Sequence, residues 1–280
     1  MTQADIWRIA KIQSAIDAHC APEDFDRTEN VIVHSAADPR ARRYLELPFA
    51  CDLISYGPNL VASVSPQLEA AVRQYASRYA PAHCFETPNL HVLEASLRPH
   101  GYSACFMAEY FLPLLDALAP IRCGYELRVL GPADFAPLYT PQWANALCEA
   151  RRSLDMLGVG AFDGGRLVGL AGASADCETM WQIGVDVLPG YRRQGIAAAL
   201  TSRLAAEIFA RGKVPFYCCA WSNIPSARNA IRSGFRPAWA ELTFKPLAYV
   251  EKLQQGGVLS LPQKRRAAPV WEARRFAVFY

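Results

Sequence analysis

The stretch Ile183-Gly-Val185-Asp186-Val187-Leu-Pro189-Gly-Tyr-Arg192-Arg193-Gln194-Gly195-Ile196-Ala197 passes from strand to basic glycine loop to helix, and its reading decides the fold. From Met180 the residues alternate, with Ile183, Val185 and Val187 on one face and Gln182, Gly184 and Asp186 on the other. After the loop, Ile196, Leu200, Leu204 and Ile208 recur at helical spacing until Gly212 stops the run. A helix N-terminus leaves backbone N–H groups without intrahelical partners and carries about half a positive charge, so it attracts anions. Gly195 lets an anion approach the backbone, Ala197 and Ala198 keep the first turn low, and Arg192 and Arg193 add charge. The Gly-Lys-Ser/Thr of a triphosphate loop is absent, so a diphosphate carried by something other than ATP fits better.

Outward from this loop the elements are short and ordered. Glu126 to Leu130 alternates as a strand, and Asp134 after Gly131-Pro132 can cap a helix running from Phe135 towards Ala150. Two apolar runs, Leu157 to Phe162 and Arg166 to Ala173, meet at Asp163-Gly164-Gly165, which predicts a hairpin. Gly158-Val-Gly160 lacks the third glycine of a dinucleotide loop and is followed by a turn, which excludes a Rossmann site. Val214 to Trp221 reads as a buried strand. Ser222-Asn223-Ile-Pro225 starts a helix that Gly234-Phe235 ends, and Ala238 to Thr243 supplies another strand.

The first half repeats this plan in weakened form. Leu60 to Val64 reads as a strand, Pro66 to Arg78 as a helix, His83 to Glu86 as a strand and Asn89 to Arg98 as a helix, with Gly101-Tyr102 and a strand from Ser103 to Phe111 completing the copy. Val64-Ser-Pro66 leads straight into its helix, so the copy carries no anion cradle.

Taken together, the loop and the Asn223-x-x-Ser226 … Gly234-Phe235 pair resemble the GCN5-related N-acetyltransferase (GNAT) superfamily over about Tyr125 to Lys245. The resemblance implies an α/β (α+β) fold with a mixed central sheet flanked by helices, in two tandem GNAT-like halves. The expected divisions are a degenerate copy over 1–120, a catalytic domain over 121–246 and a basic extension over 247–280 that docks on the body. It further implies that Val185, Asp186 and Val187 line the pantetheine arm of acetyl-CoA, that Arg192, Arg193, Gln194, Gly195, Ile196 and Ala197 hold its diphosphate, and that Asn223 and Ser226 face it from the neighbouring strand and helix. The reaction it implies is direct attack of a small-molecule primary amine on the acetyl carbonyl. Two positions depart from the pattern: Ala230 stands where family members often carry a proton-donating tyrosine, and Trp181 where others carry a basic glutamate. Asp186, Glu178, Gln182 and Ser226 are the nearest replacements. Two alternatives follow, a non-catalytic acyl-CoA-binding or sensing module, and a transferase using a longer acyl-CoA or an aminoacyl-tRNA.

Composition bounds these readings. The chain has 280 residues, 52% hydrophobic and 20% charged, with a formal net charge of +3, which excludes general disorder and a chain-wide nucleic-acid-binding surface. No apolar run reaches the roughly 20 residues of a membrane span. The first residues, with Asp5, Arg8, Lys11 and Asp17 among apolar positions, predict an amphipathic helix of a cytoplasmic protein, monomeric or homodimeric. All five histidines precede residue 101, so the second half alone holds no Ser-His-Asp device, and no ligand spacing suggests a metal. Nine scattered cysteines without a Cys-x-x-Cys pair predict reduced thiols, with Cys218-Cys219 inert in its strand. From Phe244 onward seven Lys or Arg oppose two acids, and Lys264-Arg265-Arg266 could meet the CoA 3′-phosphate or RNA, a solvated charge run being the plainer reading.

Overall fold

A computed structural model describes residues 1–255; the basic run at 264–266 and the rest of the extension lie outside the described residues. The chain opens with α1 (Gln3–Ala18), β1 (Val31–His34), β2 (Cys51–Ser55) and β3 (Val61–Val64), then α2 (Glu69–Arg78), α3 (Thr87–Leu97) and β4 (Tyr102–Pro113). Next come β5 (Glu126–Leu130), β6 (Asp155–Asp163), β7 (Arg166–Ser174), β8 (Met180–Val187), α4 (Ile196–Ala210), β9 (Val214–Ala220) and α5 (Ile224–Arg232). The chain continues through β10 (Phe235–Pro246) into α6 (Leu247–Gln254). It is mixed α/β, as expected. Two compact units form among the described residues, one from Ala10–Tyr110 with residues 238–255, the other from Met1–Ile9 with Phe111–Pro237. β4 and β10 each contribute residues to both units.

In the central unit β9, β8, β7, β6 and β5 lie side by side. One face packs on α4, whose Leu200, Leu204 and Ile208 are fully buried against Val159, Ala171 and Ile183. Each such side chain contributes about 1.5–3 kcal/mol of transfer free energy at most. The helix approaches so closely that a Cβ added at Gly169 would stand 2.8 Å from Ile196 Cγ2. This contact fixes the first turn of α4 against β7. The opposite face carries Phe135, Trp143, Leu147 and Leu170.

The single helix expected from Phe135 towards Ala150 is replaced by short 3-10 turns at Pro132–Asp134, Ala136–Leu138, Pro141–Trp143 and Glu149–Leu154. Pro132, Pro137 and Pro141 each remove an N–H and disfavour the helical conformation of the preceding residue, so no α-helix propagates.

The N-terminal unit has the strand order β1, β3, β2, β10, β4. Its α2 and α3 cover an apolar face formed by Leu53, Ala62, Leu242 and Phe244. The expected strand over His83 to Glu86 is a 3-10 turn at Pro81–His83 that leads into α3. The parallel neighbour of β3 comes instead from β1, paired along its whole length from Val31↔Val61 to His34↔Val64. Local alternation at 83–86 was too short to outweigh Pro81 and Pro88. The other face of this sheet buries charge. Arg42 donates to the Asp17 carboxylate, to Tyr44 Oη at 2.6 Å and to Glu241 Oε2 at 3.0 Å. Nearby, Thr243 donates to Asp52 Oδ1 at 2.6 Å, while Asp52 Oδ2 is buried without a hydrogen-bond partner. Burial, and then the neighbouring Glu241 carboxylate, hold the Asp52 carboxyl well above the ordinary carboxylate range.

Candidate functional site

The site begins where a ladder stops. β8 and β9 run parallel and pair from Met180↔Val214 to Ile183↔Tyr217, and no further. β8 continues to Val187, held on its other side by β7 from Ser174↔Gln182 to Gly169↔Val187. Gly184 to Val187 therefore keep β geometry with one edge lacking a partner strand, opposite Cys218 to Ala220. A buried or half-buried strand edge of this kind offers N–H and C=O groups to an extended ligand.

At the end of β8 the chain makes a 3-10 turn, Pro189–Tyr191, and enters α4 through Gly195. Gly195 has φ +80° and caps α4 with no side-chain hydrogen bond, which leaves the first amides of the helix for an incoming acceptor. A Cβ placed there would meet only Arg232 Nη2, at 4.0 Å. Arg193, itself at φ +63°, and Arg192 are exposed beside this end. Arg192 Nε donates to Val187 O at 3.1 Å and so ties the loop to the strand. Gln194 is drawn sideways: Tyr125 Oη donates to its Oε1 at 2.6 Å, with Tyr125 and Tyr191 ring centroids 5.7 Å apart. Ile196 is buried in the core and Ala197 half-buried, so both serve through their backbone. The β8 edge without a strand partner thus leads through the loop to the end of α4, which as a helix N-terminus attracts anions.

The proposed acid–base residues separate. The Asp186 carboxylate is engaged by the neighbouring turn: Asn145 N and Ala146 N donate to its Oδ2 at 2.9 Å each, and Asn145 Nδ2 to its Oδ1 at 2.6 Å. Its carboxylate anchors the turn after Trp143. Glu178 is exposed just before β8 begins, roughly 20 Å along an extended chain from the open edge. Gln182 is buried and donates from Nε2 to Cys218 Sγ at 2.8 Å, immediately below the split. Ser226 remains: its Oγ lies 2.8 Å from Tyr217 Oη, at the last paired position of β9. Burial pushes the Tyr217 hydroxyl up to about 12, so it keeps its proton throughout the neutral range. Asn223 Oδ1 accepts from Ser226 N at 3.2 Å and caps α5, which leaves its Nδ2 without a partner among the described residues.

Trp181 packs into the α4 core, whereas Trp221 is 49% exposed beyond the end of β9. Tyr217 and Arg232 were not singled out from the sequence. Tyr217 looks like a core aromatic in an apolar strand, and Arg232 belongs to a different helix. Among the described residues no cluster of three or more His, Cys, Asp or Glu could hold a metal, no disulfide joins the cysteines, and no helix is long and apolar enough to cross a membrane.

Residues 125–235 match the model of the acetyltransferase (GNAT) family. No curated protein matches the chain. Similar solved structures include a GNAT-family protein from Novosphingobium aromaticivorans, 24% identical with TM-score 0.38 over 51% of this chain and 66% of that one. A tandem GNAT protein from the clavulanic acid biosynthesis pathway is 17% identical, with TM-score 0.41 over 54% of this chain and 56% of that one. An acetyltransferase of the GNAT family from Colwellia psychrerythraea is 13% identical, with TM-score 0.43 over 88% of this chain and 98% of that one. The chain spans less than two thirds of the length of the first two.

Proposed function

We propose, from the match of residues 125–235 to the acetyltransferase (GNAT) family, that the protein transfers an acyl group, acetyl in the first instance, from its CoA thioester to a primary amine of a small molecule. The observation that carries this reading is the end of the β8–β9 ladder at Ile183↔Tyr217, directly above a loop that delivers the uncapped end of α4. When bound, the thioester supplies an activated acyl carbonyl. The chain's own residues then do four things. Val185 and Val187 present backbone groups to the pantetheine amides, as an added strand would receive them. Gly195, Ile196 and Ala197 direct amides at the diphosphate, with Arg192 and Arg193 adding charge. Backbone N–H groups on the open edge of β8 stabilise the oxyanion that develops as the amine attacks. Ser226, backed by the protonated Tyr217, supplies a proton to the departing sulfur in place of the tyrosine missing at Ala230.

No side chain at the split is a strong base: Trp181 occupies the usual position, and Asp186 and Glu178 are otherwise placed. The amine must then arrive neutral or lose its proton to water, and positioning supplies most of the rate. In the N-terminal unit β1 and β3 stay paired throughout and Ser65 leads straight into a 3-10 turn at Pro66–Leu68, so the CoA site is assigned to the other unit alone. The test is turnover. Free thiol released from acetyl-CoA across a panel of small primary amines should rise well above the rate of hydrolysis for at least one amine.

The missing base favours one second reading, in which the domain binds acyl-CoA as a sensor. Tight acetyl-CoA binding with no thiol release across the panel selects it.

A further inference from the structure

Resting on the acyl-CoA reading above, we propose that Arg232, at the C-terminal end of α5, is a third arginine of the anion site and recognises the diphosphate of CoA rather than its 3′-phosphate.

The side of Gly195 that a side chain would occupy faces Arg232 alone, with Nη2 4.0 Å from the position of a Cβ. That placement is held by packing. Asn229 Nδ2 donates to Thr201 Oγ1 at 3.0 Å, and the buried Ser233 donates to Asn229 O at 2.8 Å and reaches Ala198 O at 3.5 Å. Gly234 follows at φ +92°, where a Cβ would stand 2.7 Å from Ala117 O, so the chain turns there in a way that only glycine permits. The last turn of α5 is thereby fixed beside the first turn of α4.

Charge points to a ligand. Farther along α4, Arg203 and Arg211 both close on Glu207, at 2.8 and 3.0 Å. Among the described residues no carboxylate lies within ion-pair distance of Arg193 or Arg232, although both stand near the positive end of a helix. Like charges gathered on a helix N-terminus repel, and a bound anion reverses the sign of that interaction. Two guanidinium groups near one helix end, from the loop and from α5, match the two adjacent phosphates of a diphosphate better than a single terminal phosphate.

Titration calorimetry on the full chain with CoA and with 3′-dephospho-CoA tests this, using R232Q, R232K and, as a surface control, R211Q. R232Q is expected to weaken both ligands by the same factor, about tenfold, and to make the dependence of affinity on salt shallower. R232K should fall between R232Q and the intact chain, and R211Q should match the intact chain. Equal affinity for R232Q and the intact chain overturns the proposal, and so does a loss confined to CoA, which would place Arg232 on the 3′-phosphate. If the intact chain binds neither ligand, the acyl-CoA reading itself fails and takes this inference with it. Because Arg232 is exposed, unchanged thermal melting should accompany every outcome.

Discussion

Ile183 and Tyr217 are the last residues of β8 and β9 to face each other, and beyond them β8 runs on to Val187 with β7 as its only strand partner. A parallel pair that ends in mid-strand normally wastes hydrogen-bonding capacity, since backbone groups lacking both a partner and water are costly. Here the edge that β9 leaves without a strand partner leads into the loop whose helix end carries no side-chain cap. In the proposed function a single extended anionic ligand meets both the strand edge without a strand partner and the helix end without a side-chain cap.

Substituting Gly195 tests the helix end. Glutamate there adds a Cβ at a positive φ, costing about 1 kcal/mol of backbone strain, and sets a negative charge where the diphosphate is assigned. G195E is expected to lose at least a hundredfold in acetyl-CoA affinity by calorimetry while losing little thermal stability. Affinity equal to that of the intact chain would remove the diphosphate from this loop.

Asp186, a candidate base in the sequence, is in the fold an acceptor for the turn after Trp143. Three N–H groups from Asn145 and Ala146 converge on its carboxylate, so D186A leaves donors unanswered and is expected to destabilise the chain by about 2–3 kcal/mol. Denaturant unfolding measures this. The shape of the pH–rate profile should be unchanged in whatever fraction remains folded; a lost basic limb would restore Asp186 as the base.

Tyr217 and Ser226, 2.8 Å apart, are proposed as the proton-donating pair. Y217F and S226A are each expected to lower kcat by about tenfold to a hundredfold with KM for acetyl-CoA nearly unchanged, and the double variant should lose little more than either alone. Steady-state kinetics with 5,5′-dithiobis(2-nitrobenzoate) detection would show it. Additive losses would mean that the two hydroxyls act separately.

Asp52 gives the N-terminal unit a pH dependence of known sign. Burial and the Glu241 carboxylate raise its carboxyl well above the range in which the unfolded chain ionises it, so folding takes up a proton between the two and the stability it contributes is lost as pH rises. D52N removes that slope while retaining an oxygen for Thr243. The melting temperature of D52N relative to the intact chain is expected to climb between pH 5 and pH 8. Parallel curves would show that Asp52 is ionised in the folded state.

What the sequence revealed follows the range of the interactions involved. β8 and α4 were legible because alternation and four-residue spacing are local, and Asn223 as a helix cap because capping acts within one turn. The glycine–arginine loop was legible for the same reason. β1 was hidden because its four residues gain strand structure only by pairing with β3, and the helix read after Phe135 failed because its apolar spacing ignored the prolines that interrupt it. At the site, Tyr217 and Arg232 escaped notice since their roles arise where α5 packs on α4 and β9, a relationship that Asn229, Ser233 and Gly234 create in three dimensions.

Amide hydrogen exchange with and without CoA interrogates the split strands most directly. Slower exchange at Val185 and Val187, together with Ile196 and Ala197, is the predicted result. Unchanged exchange across Gly184 to Ala197, with protection appearing instead along β1 and β3, would contradict the account.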